Sequence, residues 1–320
     1  MTDAPLVLIT GAGGFIGSAK AKALRDVGFR VRAGLRRAAR APDEVLCDLD
    51  RPEQIRAAMA GVDLVVHAAY SDSEAMPRQA ENLLAAMAEQ GVANLIALSS
   101  IAVHGDASGD VDATRRGALD AYGAAKLACE AATRAWANAA PERRALNLRP
   151  GIVYGTGSAF WIDKLVERIR AGVWADFGPD GEGVAALIHV DDLSGIILAA
   201  ARALLAPSRL DLAACTTLNA IGPETPSWNG YFHALAVKLG AAPLPRRGRR
   251  EIALRQQLAV PAKIWVRLGL PGARARAAAL APTPGEIALF SRRALYARDR
   301  VADFQPSVGL AEGLARTRLL

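Results

Sequence analysis

The sequence predicts an α/β protein: a doubly wound parallel sheet of the Rossmann type with a smaller, partly interleaved C-terminal substrate lobe. Three observations carry this. Short runs that are apolar throughout alternate with longer helix-period stretches across the first half. A glycine-rich turn follows the first of those runs directly. After Pro150 the alternation gives way to loops and proline-punctuated helices. Runs apolar on both faces are what a parallel sheet covered by helices on both sides requires.

Taken in order, Leu6–Thr10, Arg30–Leu35, Leu64–His67, Leu95–Leu98 (extending to Asn94) and Ala145–Leu148 read as buried strands. Between them Phe15–Val27, Pro52–Ala60, Arg78–Gln90 and Ala121–Ala140 read as helices, three of them closed by Gly28, Gly61 and Gly91. Beyond Pro150, glycines at 155, 157, 172, 178, 181 and 183 imply loops around one helix, Phe160–Ala171. Val184–Val190 and a helix over Leu193–Leu205 then return to the sheet, and from Gly222 onward helices are separated by prolines. The expected division is 1–154 with 184–221 as the nucleotide-binding domain, and 155–183 with 222–320 as the lobe over the strand ends.

Composition narrows the function classes. The 320 residues, 52% of them hydrophobic, suffice for a full core. The net charge of +7 comes from scattered arginines and one stretch, Arg246 to Arg276, without an aromatic ladder or nucleic-acid motif, so no nucleic-acid partner is expected. That stretch, around Ile264-Trp265-Val266, reads either as a lid helix with a solvated basic face or as an amphipathic membrane-surface element; the former is preferred, and membrane contact is not expected. Cys47, Cys129 and Cys215 are far apart, and His67, His104, His189 and His233 lack ligand spacing, so neither disulfide nor metal is expected. The N-terminus lacks a signal-peptide pattern and no apolar run spans a bilayer, which favours a cytoplasmic setting.

Gly11, Gly13, Gly14, Phe15, Ile16 and Gly17 lie between the first strand and the first helix. Glycines there permit a tight turn and bring backbone N–H groups and the helix N-terminus against a pyrophosphate, as in dinucleotide-binding folds. At the end of the second strand, where an acidic side chain would hold the 2′-hydroxyl of NAD, the sequence reads Leu35-Arg36-Arg37. A guanidinium at Arg36, and with less weight Arg37, suits the 2′-phosphate of NADP; NAD stays open as an alternative, as do plain solvated arginines. Tyr122 and Lys126 stand one helical turn apart on one face.

These motifs, with Cys47-Asp48-Leu49, His67-Ala68-Ala69, Ser99-Ser100, Arg149–Gly155 and His189–Leu193, together resemble the extended short-chain dehydrogenase/reductase family, the NAD(P)-dependent epimerase/dehydratase-like group. The resemblance implies that Ser100 holds the substrate oxygen, Tyr122 exchanges its proton, and Lys126 holds the nicotinamide ribose. It also implies adenine contacts from Asp48 and Leu49, a loop of His67, Ala68 and Ala69 beneath the pyrophosphate, and Pro150 and Val153 against the nicotinamide amide. Read locally, Asp48 is alternatively a helix cap, His67 a packed histidine, and Asp191 and Asp192 caps. A phenol titrating near ~10 is a poor base at neutral pH, so Lys126 is expected to lower it.

Departures from the family pattern bear on substrate. Ser71–Gln79 offers no asparagine for a proton relay, Asn82 coming later; Pro150-Gly151 replaces the aromatic-Asn pair of nucleotide-sugar members; and Ile101-Ala102 replaces the Asp-Glu pair of dehydratases. The leading expectation is therefore an NADP-dependent alcohol dehydrogenase or carbonyl reductase acting on a small, fairly apolar alcohol or ketone. A nucleotide-sugar epimerase is the alternative. A homodimer paired through Arg78–Gln90 and Ala121–Ala140 is expected by analogy with the family.

Overall fold

The apolar runs become strands because alternate side chains enter two different cores. Val7 and Ile9 point into one, with Leu24, Ile96, Leu148 and Ile196. Leu6 and Leu8 point into the other, with Val65, Leu83, Met87 and Trp136. Full burial of each such side chain stabilises the fold by about 1.5–3 kcal/mol. The computed structural model describes residues 4–118, 120–268, 272 and 279–319; Arg276, named above as the end of the basic stretch, lies outside the described residues.

The described strands are β1 (Leu6–Thr10), β2 (Arg30–Leu35), β3 (Glu44–Leu46), β4 (Leu64–His67), β5 (Asn94–Leu98), β6 (Gly109–Val111), β7 (Arg144–Pro150), β8 (Ile152–Tyr154), β9 (Leu187–His189), β10 (Cys215–Ala220) and β11 (Ala294–Tyr296). Seven of them form one sheet in the order β10-β7-β5-β4-β1-β2-β3, every neighbouring pair parallel. The chain moves outward from β1 through β2 to β3, then crosses back to β4 on β1's other side. That reversal opens a crevice at the carboxyl ends of β1 and β4, where Thr10 and His67 are register partners.

Helices α1 (Phe15–Asp26) and α6 (Val190–Leu205) cover one face of the sheet; α2 (Pro52–Ala58), α3 (Ala75–Glu89) and α4 (Ala121–Asn138) cover the other. A third core gathers aromatic rings from α5 (Lys164–Arg170) onward: Trp174, Phe177, Phe290 and, from α7 (Trp228–Lys238), Trp228 and Phe232, the Trp228 and Phe290 ring centroids lying 4.8 Å apart. Tilted and edge-on ring pairs of this kind favour one arrangement over many. Among the described residues no helix is long and apolar enough to cross a membrane.

Several boundaries differ from the sequence reading. Helix α3 starts at Ala75 rather than Arg78, α6 starts at Val190 rather than Leu193, and a π-helical turn over Ala159–Asp163 precedes α5. His189 caps α6 by accepting from Asp191 N, so the expected capping by Asp191 and Asp192 does not hold. Asp192 instead accepts from Ser307 N and Val308 N, holding the C-terminal segment. Strands β3, β6, β8, β10 and β11 were not legible: they are short, or, as with β10, mixed in polarity at the sheet edge.

Helix α4 is locked to the sheet by charge as well as by packing. Arg149 on β7 donates from Nε and Nη2 to the two Glu130 carboxylate oxygens, each at 2.7 Å, with the side chains 0% and 4% exposed. Ser99 Oγ donates to Glu130 Oε1 at 2.6 Å, and Arg149 Nη1 donates to Ala113 O. Removing one partner strands the other charge without water, so Glu130→Ala should lose about 3–5 kcal/mol of stability. Chemical denaturation checks this, and a loss below 1 kcal/mol would contradict the anchoring role.

Candidate cofactor and catalytic site

The residues singled out in the sequence gather at the carboxyl ends of β1, β2, β4, β5 and β7, with Asp48 and Leu49 just beyond β3. Between β1 and α1 the backbone makes its closest approach to the loop after β4. A Cβ at Gly11 would stand 2.6 Å from Ala69 Cα, and Gly11 also has φ +71°. A Cβ at Gly17 would stand 2.2 Å from Gly11 O. Only glycine fits at either place. Gly14 caps α1 without a side-chain hydrogen bond, leaving the first-turn N–H groups without a side-chain acceptor. This cradle suits a dinucleotide pyrophosphate, the helix dipole adding to it.

His67 closes the floor of the crevice, its Nδ1 2.8 Å from Thr10 Oγ1. Burial, with Lys126 adding to it, pushes the imidazole down to about 3, so it stays neutral. At the β2 end, the two arginines part company. Arg36 is exposed and contacts no acidic group in the described structure. Arg37 is held by Glu44 through two bonds of 2.8 Å. Asp48 Oδ1 accepts from Asp50 N and does not cap α2, whose first turn follows Arg51. Leu49 is buried, with its carbonyl accepting from Asn82 Nδ2 at 2.9 Å.

Ser100, Tyr122 and Lys126 converge at the end of β5. Asp120 caps α4 by accepting from Gly123 N at 2.7 Å, which fixes where the helix starts and therefore where Tyr122 lies. Burial raises the Tyr122 phenol above its usual value, while the Ser100 hydroxyl beside it lowers it in smaller part. The Lys126 ammonium lies 5.9 Å from the Tyr122 ring centroid and donates to Leu98 O at 2.8 Å. Burial in turn depresses Lys126. The expectation that Lys126 lowers the phenol is thus not met in this state of the protein, because its ammonium is spent on a carbonyl and burial dominates the phenol. Tyr70 covers the site, its ring centroid 5.9 Å from that of Tyr122.

Pro150 ends β7, and Val153 on β8 is buried with its carbonyl accepting from Ser158 Oγ. A narrow cavity lined by His67, Leu98, Lys126, Glu130 and residues of α3 and α4 lies between the sheet and those two helices. The sequence reading passed over Glu130 and Lys20. Glu130 had a signal: Tyr122, Lys126 and Glu130 follow at four-residue steps on one helix face. Lys20 had none, since a lysine in an amphipathic helix normally faces water.

A profile of the NAD dependent epimerase/dehydratase family matches residues 7–212. The chain is 29% identical over 181 residues to N-acetyl-alpha-D-glucosaminyl-diphospho-ditrans,octacis-undecaprenol 4-epimerase of Escherichia coli O157:H7, covering 52% of this chain and 54% of that protein. It is 29% identical over 212 residues to 2-alkyl-3-oxoalkanoate reductase of Stenotrophomonas maltophilia, covering 58% of this chain and 62% of that one. It therefore spans between half and two thirds of the length of these curated relatives. Among solved structures, MoeE5 in complex with UDP-glucuronic acid and NAD is similar with a TM-score of 0.71 and 23% identity, over 97% of each chain, a likeness of fold.

Lys20 supplies a test of how α1 is held behind the phosphate loop. The side chain is fully buried and donates to Val190 O and Ser194 Oγ, each at 2.9 Å, tying α1 to the start of α6. Burial lowers it from the usual 10.5 to about 7, with Asp191 pulling weakly upward. Between those pH values the unfolded chain holds a proton that the folded one has released, so stability attributable to Lys20 rises with pH across that window. Wild-type stability should therefore climb relative to Lys20→Met from pH 7 toward 10, measured by urea denaturation. Parallel curves would show that the buried amine does not titrate there.

Proposed function

Because the chain belongs to the NAD-dependent epimerase/dehydratase family, whose members are NAD(P)-dependent enzymes, we propose that it inverts a hydroxyl-bearing carbon of a sugar carried on a diphosphate. The observation that carries the chemistry is the placing of Tyr122 and Lys126 on one side of α4 beside Ser100 at the end of β5, the Lys126 ammonium 5.9 Å from the Tyr122 ring centroid. Bound NAD(P) supplies the site with a reversible hydride acceptor and donor. Ser100 fixes the substrate oxygen, and Tyr122 takes the proton from that oxygen and returns it. Lys126 holds the nicotinamide ribose. The pyrophosphate rests on Gly11–Gly17 over Ala68 and Ala69, Asp48 and Leu49 border the adenine, and Pro150 and Val153 border the nicotinamide. The substrate is held between this face, 1–154 with 184–221, and the lobe of 155–183 with 222–320.

The leading expectation from sequence, net reduction of a small apolar ketone, becomes the second reading. The E. coli relative's name describes a 4-epimerase of a diphosphate-linked sugar, and MoeE5 is seen with a nucleotide sugar and NAD. The reductase reading draws on the Stenotrophomonas relative and on Gly151, where a Cβ would stand 2.1 Å from Ala186 O, so the asparagine of nucleotide-sugar members has no room there. Incubation with diphosphate-linked sugars and with ketones separates the two. Interconversion of sugar epimers without net change in reduced-cofactor absorbance supports the first; stoichiometric NADPH oxidation by a ketone overturns it.

Two substitutions test the residue roles. Tyr122→Phe removes the proton carrier but none of the phosphate cradle, so turnover should fall by about two to four decades with cofactor affinity nearly unchanged. Near-native turnover would refute the assignment. We further propose that Arg36 selects NADP over NAD: Arg36→Ala should weaken NADPH binding by roughly one to two decades and leave NADH alone. Equal titration curves for the two cofactors on the unaltered protein would sink that selection.

A further inference from the structure

The loop from β4 to α3 is tied down on both sides of one exposed ring. Ahead of it, Ala68 N donates to Thr10 O at 3.2 Å, and Ala69 lies so close to Gly11 that a Cβ there would stand 2.6 Å from Ala69 Cα. After it, Ser71 Oγ donates to Gln79 Oε1 at 2.7 Å, and the buried Gln79 donates from Nε2 to Asp50 Oδ2 at 2.8 Å. Asp72 Oδ1 accepts from Glu74 N and Ala75 N at the start of α3. Between these ties stands Tyr70, 65% exposed, its ring tilted by 56° to that of Tyr122 with the centroids 5.9 Å apart. A large ring left mostly in water adds little to the fold, because an aromatic side chain stabilises through the area it buries. On a loop held this firmly it is contact area kept in place at small entropic cost.

We propose that Tyr70 is the platform on which the substrate's sugar ring rests, and so a specificity-determining residue; this builds on the sugar-diphosphate reading above. A substrate oxygen that exchanges its proton with Tyr122 lies about 2.7 Å from the phenolic oxygen. Tyr70 is the exposed ring beside that phenol, so a six-membered ring carrying the oxygen comes within van der Waals reach of it. The face of an aromatic ring is negative, and the axial C–H bonds of a sugar are polarised the other way, so the two attract without hydrogen bonds. The lack of direction matters. Inversion returns the hydride to the opposite face of the same carbon, so the sugar has to be presented both ways, which a fixed set of hydrogen bonds would resist. The nicotinamide is the other flat group to place in the crevice. Its proposed neighbours, Pro150 and Val153, stand at the end of β7 and on β8, and β5 separates β7 from β4, so Tyr70 falls to the sugar.

Calorimetric titration of the NADP-saturated protein tests this, with UDP-glucose and UDP-N-acetylglucosamine compared against UDP, which lacks the sugar. The unaltered protein should bind at least one sugar nucleotide about tenfold more tightly than UDP, and Tyr70→Ala should erase that difference while leaving UDP and NADP binding unchanged. Unchanged NADP binding also shows that the variant folds with its phosphate cradle intact. Tyr70→Phe should keep the difference, because the ring and not the hydroxyl makes the contact. In turnover, Tyr70→Ala should raise KM about tenfold and alter kcat by less than about twofold. Should Tyr70→Ala not fold, Tyr70→Leu, which keeps apolar volume without an aromatic face, serves in its place. Survival of the difference in Tyr70→Ala, or its loss in Tyr70→Phe, overturns the platform and leaves the epimerase reading standing. So does weakened NADP binding in Tyr70→Ala, which would assign the ring to the nicotinamide, or a fall in kcat alone, which would make it a shield of the Tyr122 phenol. An unaltered protein that binds neither sugar nucleotide overturns the reading on which the platform rests, and the platform with it.

Discussion

The buried ion pair between Glu130 and Arg149 is the contact on which the site depends. It joins the helix that carries Tyr122 and Lys126 to the strand that leads to Pro150, and Ser99 joins the same carboxylate from the end of β5, next to Ser100. Three elements that carry the candidate site residues are thereby fixed to one another through a single carboxylate. An apolar triad of similar volume would pack as tightly but would not set direction, since dispersion has little preference for the angle at which α4 crosses β5 and β7. The fork of Arg149 on two carboxylate oxygens does have that preference.

Burial then acts on three titratable groups of the crevice. His67 is pushed down, Lys126 is pushed down, and Tyr122 is pushed up, each toward its neutral form. The result is a crevice in which the phenol holds its proton and the imidazole beside the phosphate cradle is uncharged. Positive potential at the phosphate cradle therefore comes from backbone N–H groups at the start of α1 and not from His67.

Much of this was legible in the sequence, and the reasons for success and failure differ by residue. Leu6–Thr10 and Leu64–His67 were read to the residue because strands covered on both faces admit few charged side chains, and Arg30–Leu35 because Val31, Ala33 and Leu35 alternate into the core. The glycine turn was legible because Gly11 and Gly17 have no alternatives at their positions. Strand β10 was not, since Cys215–Ala220 pairs on one side alone and carries threonine and asparagine. Long-range partners were likewise hidden. Nothing near Lys20 announces Val190 and Ser194, and nothing near Asp192 announces Ser307, because those contacts exist only once α1, α6 and the C-terminal segment pack.

The end of β2 shows how one hidden contact can change a local reading. In sequence Arg36 and, with less weight, Arg37 are both candidates for the 2′-phosphate, and no carboxylate stands near them on that strand. In the fold Glu44 arrives from β3 and meets Arg37 with both oxygens, while also accepting from Arg40 N at 2.7 Å. A carboxylate therefore does reach the end of β2, from β3. Its oxygens are already occupied, and Arg37 holds its carboxyl down to about 2, so it stays a paired anion rather than an acceptor for a ribose hydroxyl. The pair cancels much of its own charge, so the proposed selection of a 2′-phosphate rests on the exposed Arg36 and not on Arg37.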